Sequence, residues 1–405
     1  MTPEVKQRIE QIRQGIVPEG YKKTKAGIIP TDWDVKSVGA HIKEYKQLSN
    51  NIKDIPVYTS SRKGLFPQFE YYIDKEAVKT NLGYKVVPNG YATYRHMSDD
   101  DVFHFNINMT GGEILVSSEY PVFCASQDAE LGFLIPMLNG TARFRYFCRT
   151  QKLGGTRTRL YLENLKKYLI PTPSLKEQKE IARILSLQDK VIELNQHKIE
   201  EIKKMKKFFL SKMFPKKGQI VPEIRFAGFT DAWEQRKLGS IVSITTGRLD
   251  ANAATSDGIY AFFTCGKETL RTDSFAFDGN AILISGNGDL GYTRKYSGKF
   301  NAYQRTYVLQ GFSEHFEFIE HAIHRYLPDK IKSESFGGAM PYIKLDTLAD
   351  LLVYVPSLLE SSAVADYLTN LDHLITLHQR KLEEEKQKKK ALMQLLLTGI
   401  ARVQA

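Results

Sequence analysis

The chain is poor in cysteine and has no long apolar run. Its three cysteines, Cys124, Cys148 and Cys265, are widely separated and form no CxxC pair, which argues against a disulfide framework. We expect buried thiols in a reducing cytoplasm. No uninterrupted apolar segment approaches the roughly 18 residues of a membrane span, and the charged N-terminus lacks the apolar core of a signal peptide. The sequence therefore predicts a soluble, cytoplasmic protein.

Short motifs of common catalytic sites are also missing. The sequence contains no Gly-x-x-x-x-Gly-Lys-Ser/Thr phosphate loop, no Gly-x-Ser-x-Gly elbow and no convincing Cys-His arrangement. The Asn/Asp-Pro-Pro-Tyr/Phe motif that marks amino-methyltransferases is absent as well. These absences place an enzyme last among the candidate functions.

One glycine motif matches the sequence pattern of a cofactor-binding loop. Residues 286–291 read Gly-Asn-Gly-Asp-Leu-Gly after an apolar stretch, which is the formal pattern of a dinucleotide or S-adenosylmethionine loop. Such a loop must open a helix, whereas residues 292–298 are short, β-prone and end in another glycine. We therefore expect a turn between two strands.

Two histidines are candidate metal ligands. His321 and His324 lie three residues apart beside Glu317 and Glu320, but no cysteine or distant histidine completes a structural metal site. The sequence favours a surface helix here, and we predict no metal site.

What the chain does contain is enough apolar sequence for more than one core. It has 405 residues, of which 42% are apolar and 11% aromatic, so two domains or a duplicated unit are expected. Lysine and arginine exceed aspartate and glutamate to give a net charge of +11. This excess favours a polyanionic partner, with nucleic acid as the leading class.

An internal repeat sets the organisation. Two segments match at an offset of 183 residues without a gap, and Trp33 and Trp233 mark a second match at an offset of 200. The residues that carry the first match are Gly154-Gly155 with Gly337-Gly338, Leu162 with Leu345, Leu165 with Leu348, Leu169 with Leu352, Pro173-Ser174-Leu175 with Pro356-Ser357-Leu358, and Glu177 with Glu360. The frames of the two halves match, whereas their interiors do not align.

After each matched proline the sequence predicts a long helix. Residues 175–214 and 358–398 contain neither glycine nor proline and are rich in helix-forming side chains. Their apolar residues follow alternating four-three spacing, so two helices of one chain are expected to pair as a coiled coil. The seam positions that we assign to helix packing and partner docking are Ile181, Leu185, Ile192, Ile199, Val364, Leu368, Ile375 and Leu382.

The regions upstream of the helices look β-rich and glycine-punctuated, which predicts α/β globules. Each contains cations for phosphates together with amide and planar side chains that suit base edges. The alternative for any one of these residues is a solvent-exposed position on a strand, with no role in DNA binding. The candidate DNA-binding residues are Tyr94, Arg95, His96, Arg143, Arg145 and Arg157 in the first globule, and Lys267, Arg271, Arg294, Lys295, Tyr303, Gln304 and Arg305 in the second.

The whole arrangement resembles the specificity subunit of type I restriction-modification systems. The repeated Gly-Gly, Pro-Ser-Leu and heptad helix carry the resemblance, together with residues 221–233 and 300–307. It implies an α/β fold with two target-recognition domains joined by two long antiparallel helices, a pseudo-two-fold repeat. The boundaries implied are 1–172 for the first recognition domain, 173–214 for the first helix, 215–355 for the second domain and 356–405 for the second helix.

The resemblance also implies a function. Each domain would bind one half of a bipartite, asymmetric site on double-stranded DNA, and the helices would dock two adenine methyltransferase subunits and, where present, two restriction subunits. The chain itself would be non-catalytic and bind no cofactor. S-adenosylmethionine, ATP and magnesium would belong to the partner subunits.

A second hypothesis stays open. Heptad helices alone would also suit a coiled-coil assembly protein without sequence-specific DNA binding. The duplicated globules with basic and aromatic clusters favour the DNA-binding hypothesis. The two hypotheses differ in whether the chain selects a nucleotide sequence.

Overall fold

The computed structural model of the chain describes residues 2–71, 83–152, 156–334 and 341–403. The Gly154-Gly155 and Gly337-Gly338 pairs of the repeat lie outside the described residues. In these ranges no helix combines the length and apolar character needed to cross a membrane.

The chain forms two compact units. Unit 1 comprises residues 1–195 and 381–405, and unit 2 comprises residues 196–380. Both long helices contribute to each unit, because the division falls inside them. The predicted fold class is confirmed: each unit is a mixed α/β domain that includes long-helix segments.

Unit 1 is built from short strands and helices before the first long helix. Its helices are α1 (Pro3–Arg13), α2 (Val38–His41), α3 (Gln68–Tyr71), α4 (Leu131–Gly140), α5 (Ala142–Arg149), α6 (Leu162–Leu165) and the start of α7 (Leu175–Lys212). Its strands are β1 (Tyr21–Thr24), β2 (Gly27–Pro30), β3 (Asp34–Ser37), β4 (Ile42–Glu44), β5 (Leu48–Ser49), β6 (Tyr58–Ser61), β7 (Gly64–Pro67), β8 (Tyr84–Val87), β9 (Ala92–Tyr94), β10 (Met97–Ser98), β11 (Phe105–Ile107), β12 (Ile114–Val116), β13 (Val122–Ala125), β14 (Thr158–Arg159) and β15 (Leu169–Thr172).

The largest sheets of unit 1 have the strand orders β11-β9-β13-β4 and β12-β8-β5. Apolar side chains of α4 and α5 and of the first turns of α7 cover the four-stranded sheet and form one core with it. Phe105, Phe123 and Phe144 lie in this core, and their rings meet edge to face. The short strands of this unit agree with the β-rich character expected upstream of the first long helix.

Unit 2 has the same kind of architecture with different strands. Its strands are β16 (Glu234–Lys237), β17 (Ser243–Thr246), β18 (Tyr260–Phe263), β19 (Thr269–Thr272), β20 (Asn280–Ser285), β21 (Thr293–Ser297), β22 (Phe300–Ala302), β23 (Thr306–Gln310) and β24 (Leu352–Val355). Its helices are α8 (Phe316–Glu334), α9 (Leu345–Ala349) and most of α10 (Leu358–Leu396). Short 3-10 helices cover Leu238–Ser240 and Ala251–Ala253.

The central sheet of unit 2 has the order β17-β23-β20-β21, and α8 packs on it through Phe318, Ile319 and Ile323. Strands β20 and β21 pair antiparallel, so residues 286–292 form the turn predicted from the glycine motif. Gly288 and Gly291 in this turn have φ values of +65° and +73°, a conformation that favours glycine.

The repeat found in the sequence corresponds to a repeated structural frame. In unit 1, β3 pairs antiparallel with β15, and in unit 2, β16 pairs antiparallel with β24. The helices α6 and α9 precede β15 and β24 and bury Leu165 and Leu348 completely. The frame therefore consists of the strand after each matched tryptophan, the short helix and the strand before each long helix.

The two long helices pair with each other within each unit. In unit 1, Gln188 of α7 donates to the Glu385 carboxylate of α10 over 2.6 Å. In unit 2, the Lys206 ammonium lies 2.6 Å from the Asp372 carboxylate. The start of α7 thus meets the end of α10 in one unit, and the reverse holds in the other, as an antiparallel pair requires.

Five of the eight seam residues are buried by this internal packing, which corrects their assignment to partner docking. Ile181 and Leu185 belong to the core of unit 1, whereas Val364 and Leu368 belong to the core of unit 2. The remaining predicted seam positions are buried or half-buried against the chain's own helices, namely Ile192, Ile199, Ile375 and Leu382. The five buried side chains of this set are not free to contact another subunit, whereas Ile192, Ile375 and Leu382 keep part of their surface exposed.

The cysteine prediction is confirmed in part. All three cysteines are free; Cys148 and Cys265 are buried, whereas Cys124 is only half-buried. Burial raises the pKa of the Cys148 thiol to about 12, so this group is an inert core residue.

Candidate nucleic-acid interface

In each unit, similar hydrogen bonds hold the segment that precedes the short helix of the frame, α6 in unit 1 and α9 in unit 2. In unit 1 the buried Tyr94 hydroxyl donates to the Leu160 carbonyl over 2.9 Å, and the Leu160 amide donates to the His96 carbonyl over 2.8 Å. In unit 2 the buried Tyr307 hydroxyl donates to the Ile343 carbonyl over 2.8 Å. The Ile343 amide donates to the Gly286 carbonyl over 2.8 Å. We call residues 158–162 and 341–345 the latched segments.

The latched segments occupy equivalent repeat positions and expose equivalent chemistry. On either side of buried Leu160, Arg159 and Tyr161 are exposed; on either side of buried Ile343, Tyr342 and Lys344 are exposed. Each segment therefore presents one cation and one aromatic ring, in opposite order. This is the combination that contacts phosphates and stacks on bases or sugars.

A cleft of about 560 Å³ adjoins the latched segment of unit 2. Three elements border it besides that segment: the end of β17, the first residue of the β20–β21 turn and the β22–β23 turn. Its polar and aromatic lining is Thr246, Gln304, Arg305, Tyr307, Tyr342 and Lys344. In the described part of unit 2, the Arg305 side chain makes no hydrogen bond or ion pair within the chain. Arg305 is therefore free to bind an external acceptor.

Two glycines allow the β22–β23 turn to approach its neighbours. A Cβ atom on Gly247 would lie 1.9 Å from the Ala302 carbonyl oxygen, and one on Gly286 would lie 2.6 Å from the Arg305 carbonyl oxygen. Both distances are shorter than atoms can tolerate, so these positions accept glycine alone without a backbone shift. The turn that carries Gln304 and Arg305 is thus held by close backbone packing.

The structure brings together only part of the residue cluster predicted in unit 2. Gln304, Arg305 and half-buried Tyr303 lie on one turn, as the sequence suggested. Lys267 and Arg271 are exposed elsewhere in the unit, where Lys267 lies 5.9 Å from the Tyr292 ring and Arg271 donates to the Ile259 carbonyl.

Two further members of that cluster have structural roles. Arg294 donates to the Thr264 and Gly266 carbonyls over 2.8 Å, and its guanidinium lies 4.7 Å from the centre of the Phe263 ring. Burial lowers its pKa. Lys295 forms an ion pair of 2.8 Å with Glu320 on α8. The enclosed Arg294 is occupied within the chain, which corrects its assignment to DNA binding, whereas Lys295 is exposed and its assignment stays a prediction.

Unit 1 contains a different cleft, of about 410 Å³. The β6–β7 hairpin and residues 95–104 form its walls, and buried Asn106 holds the hairpin by donating to the Ser60 hydroxyl and the Ser61 carbonyl. The ionisable side chains in the lining are Arg62, Lys63, Arg95, Asp99 and His104.

An acidic loop holds two arginines at this cleft. Asp100 accepts a hydrogen bond from Arg62, which lowers the pKa of Asp100 to about 2. The Arg157 Nε donates to Asp99 over 2.8 Å, so the two terminal nitrogens of Arg157 stay available. Arg157 and Arg95 are both exposed, and Arg95 is part of the cleft lining.

Other residues predicted at the first site are placed differently. Tyr94 is a core residue whose hydroxyl is used by the latch, and desolvation raises its pKa well above the ordinary value. Arg143 donates to the Leu169 and Lys25 carbonyls and packs over the Tyr168 ring. Neither is free for DNA, which corrects their prediction. His96 is buried and lies 5.8 Å from the Tyr161 ring, while Arg145 is exposed on α5.

The sequence reasoning missed several cleft residues, namely Arg62, Lys63, His104, Thr246, Tyr342 and Lys344. The Ser-Ser-Arg-Lys-Gly run at 60–64 is a recognisable turn with a basic tip. The 183-residue offset, continued past the Gly-Gly pairs, aligns Arg159 with Tyr342 and Tyr161 with Lys344. The aligned residues differ in type, so sequence comparison of the two halves does not identify them as equivalent.

The histidine pair of unit 2 lies on a helix, as predicted, with His321 buried and His324 on the surface. In α8 the residues Glu320 and His321 are buried, and the His321 Nε2 lies 3.2 Å from the Thr369 hydroxyl. Burial lowers the pKa of His321 to about 2. The ranges that the structure describes contain no cluster of metal-ligating side chains.

Known proteins place this geometry in a family. The family model for the type I restriction modification DNA specificity domain matches residues 106–204 and 230–387. The EcoDI specificity subunit of Escherichia coli is 38% identical over 166 residues, which are 41% of this chain and 37% of that protein. The MjaVIII specificity subunit of Methanocaldococcus jannaschii is 23% identical over an alignment that covers 97% of this chain and 98% of that one.

Two solved structures share the fold. The S subunit from M. genitalium has a TM-score of 0.59 at 15% identity and covers 94% of this chain and 99% of that chain. A chain from a study of complex assembly and conformational transition in a type I system has a TM-score of 0.55 at 14% identity, covering 92% and 99%. At such low identity these likenesses establish the fold alone. Since the family model spans more than half of the residues, this chain belongs to the type I restriction modification DNA specificity domain family.

Proposed function

We propose that this chain is the specificity subunit that selects the DNA target of a type I restriction-modification complex. In this proposal each unit reads one half of a bipartite target. The observation that carries the proposal is the pair of latched segments, each exposing a cation and an aromatic ring close to a cation-lined region. Family membership supports the DNA-recognition role.

The two clefts differ in chemistry, so the two half-sites should differ in sequence. Unit 2 offers a glutamine and an unpaired arginine, which suit adenine and guanine respectively. Unit 1 offers arginines held by the Asp99–Asp101 loop. A repeated frame with unlike clefts therefore favours an asymmetric target.

The test is target mapping with the reconstituted methyltransferase complex. Arg305→Ala should relax base selection in one half-site, since Arg305 is the exposed arginine of the unit 2 cleft. Lys204→Ala removes an exposed cation of α7 and should weaken binding evenly at all sequences and flatten its salt dependence. Sequencing of methylated adenines would distinguish these outcomes. Indifference of the intact complex to sequence would favour the coiled-coil assembly hypothesis instead.

The proposed docking surface for methyltransferase subunits lies on the outer faces of the helices. Val191 and Leu194 of α7 are 38% and 68% exposed in unit 1. Leu374 and Leu377 of α10 are 40% and 49% exposed in unit 2. These two pairs are related by the 183-residue offset of the repeat. Two equivalent apolar patches fit two copies of one partner.

Charge substitution tests this docking surface. Leu194→Glu should block one partner copy, Leu377→Glu the other, and the double variant both, because a carboxylate would be buried against an apolar partner. Mass measurement of the co-purified complex counts the copies. Gln196→Glu, at an exposed position on the opposite side of α7 from Val191 and Leu194, is the control for added charge and should retain both copies.

The number of unread base pairs between the half-sites is proposed to depend on the length of the helices. Paired readers commonly bind half-sites about one helical turn apart, roughly 34–36 Å. Deleting four residues within 198–208 should therefore change the unread gap in the methylated target. An unchanged gap in a folded, active complex would contradict this part of the proposal.

The reaction chemistry is assigned to the partners. Methyl transfer and any cleavage would use S-adenosylmethionine, ATP and magnesium bound by the methyltransferase and restriction subunits. This chain would contribute target selection and assembly, without a catalytic residue of its own.

A further inference from the structure

Gln304 in the unit 2 cleft is oriented by a neighbouring carboxylate. Its side-chain Nε2 donates to the Asp250 Oδ1 over 2.9 Å, and both residues are exposed. Within the described residues, the side-chain amide of Gln304 makes no other hydrogen bond. The rest of this polar group is therefore available to an external partner.

The backbones that carry the two residues are fastened to each other. The Gln304 amide N–H donates to the Leu249 carbonyl over 3.0 Å, and Leu249 and Tyr303 form an isolated β-bridge. The Tyr303 amide donates to the Phe263 carbonyl over 2.9 Å, which ties the turn to β18. The separation of Asp250 and Gln304 is thus set by the main chain.

The chemistry of a carboxylate fixes which way the amide faces. An ionised carboxylate accepts hydrogen bonds only, so the NH₂ group of Gln304 must face Asp250. The second N–H and the carbonyl oxygen of Gln304 then form a free edge with one donor and one acceptor. Adenine presents the matching pair in the major groove, with N7 as acceptor and the N6 amino group as donor.

Resting on the proposed function, we propose that Asp250 is a positioning residue that sets Gln304 to read an adenine in the half-site of unit 2. An asparagine at position 250 would offer both a donor and an acceptor. The Gln304 amide could then turn over and present its groups in the opposite order. Base selection at that one position should therefore depend on Asp250, which itself need not touch DNA.

The experiment selects targets from a randomised duplex library with the reconstituted methyltransferase complex. Asp250→Asn and Gln304→Ala should each lower the preference for adenine at the same single position, by about 5- to 100-fold, and leave the other half-site unchanged. Asp257→Asn removes an exposed carboxylate of the same unit that has no contact with Gln304, and should retain the complete target.

Exchanging the carboxylate and amide groups between positions 250 and 304 gives the most specific test, because it predicts a change in the preferred base. Gln304→Glu alone places two carboxylates together and should abolish selection at the position. In the double variant Asp250→Asn with Gln304→Glu, the asparagine can donate to the glutamate, whose second oxygen can accept from the N4 amino group of cytosine. The preferred base should change from adenine to cytosine.

The possible failures are distinguishable. If the unmodified complex selects no sequence, the proposed function is wrong. If it selects a target that all these variants retain, Gln304 reads no base. If the Gln304 variants alone alter the target and Asp250→Asn does not, Asp250 has no positioning role, and the inference is overturned.

Discussion

At the scale of single residues, the arginines of unit 2 show how burial divides one residue type into two roles. Arg294 is surrounded by carbonyl oxygens and aromatic rings, whereas Arg305 has no partner in the described part of its unit. Both stand in basic, β-rich sequence. Only their positions relative to the chain's own acceptors separate a structural arginine from one that can bind DNA.

This difference predicts that alanine substitution of Arg294 affects stability, whereas alanine substitution of Arg305 affects DNA target selection. Arg294→Ala should lower the free energy of unfolding by about 1.5–3 kcal/mol, because it removes charge-assisted hydrogen bonds to several carbonyls. Arg305→Ala should leave stability unchanged and alter the DNA target. Urea unfolding of the two variants checks this, and equal stability losses would contradict the assignment.

The buried His321 predicts a pH dependence of stability. Its folded pKa lies below the unfolded value, so the unfolded chain takes up the proton more readily as the pH falls below about 6.5. Between pH 7 and pH 5 this group should cost about 2 kcal/mol of stability. His321→Gln cannot titrate, so its free energy of unfolding should fall by that much less over the same interval. Parallel pH curves for the two proteins would exclude the effect.

At the scale of elements, the latches join each frame to a sheet that differs between the two units. A hydrogen bond from a buried tyrosine fastens residues 158–162 or 341–345 against an otherwise unrelated globule. The same device in both units keeps the cation and the ring beside a sheet whose loops differ. This allows the loops to vary in sequence without loss of the frame.

Removing one latch hydroxyl should loosen one segment. Tyr307→Phe should cost about 0.5–1.5 kcal/mol and increase hydrogen exchange at the Ile343 amide, because the carbonyl of Ile343 loses its donor. Tyr296→Phe is the matched control, since that hydroxyl makes no hydrogen bond among the described residues of unit 2. Unchanged exchange at Ile343 in Tyr307→Phe would show that the latch does not hold the segment.

At the scale of the whole molecule, the end of the chain completes the unit that contains its beginning. The segment near the N-terminus packs against the residues that follow the second long helix. Tyr21 donates to the Gly399 carbonyl over 2.7 Å, and Arg8 donates to the Ile400 carbonyl. Arg402 contacts both Asp32 and the buried Glu177. In unit 2, Arg225 makes the equivalent contact with buried Glu360.

Loss of Arg402 should therefore weaken unit 1 selectively. Arg402→Ala leaves Glu177 buried with the Trp33 indole as its remaining partner, at a cost of about 3 kcal/mol. The pKa of Arg402 is raised by these hydrogen bonds, in keeping with a strong pair. Fluorescence unfolding in a Trp233→Phe background reports unit 1 through Trp33. Arg183→Ala, which removes an exposed pair on α7, should leave that transition unchanged.

Sequence periodicity and repetition were sufficient for the frame. Leu165 and Leu348 and the helices α7 and α10 follow from local patterns that survive in both halves, and the glycine turn before β21 follows from its own local motif. The cleft residues could not be found in this way. Arg62 and Lys344 reach their clefts through contacts between segments distant in sequence, which no local pattern encodes.

By itself the sequence determined that the chain is duplicated, that two heptad helices follow two α/β globules, and that the resemblance points to DNA specificity. Helical periodicity and the repeated glycine and proline residues at the helix ends are local properties of the chain, so they can be recognised without a structure. Only the tertiary structure decided which polar groups remain unsatisfied internally. Arg294 and Tyr94 are used by the chain's own acceptors, whereas Arg305 and one edge of Gln304 are not. Availability for binding depends on which atoms folding brings within hydrogen-bond distance, and that is a property of the packed chain.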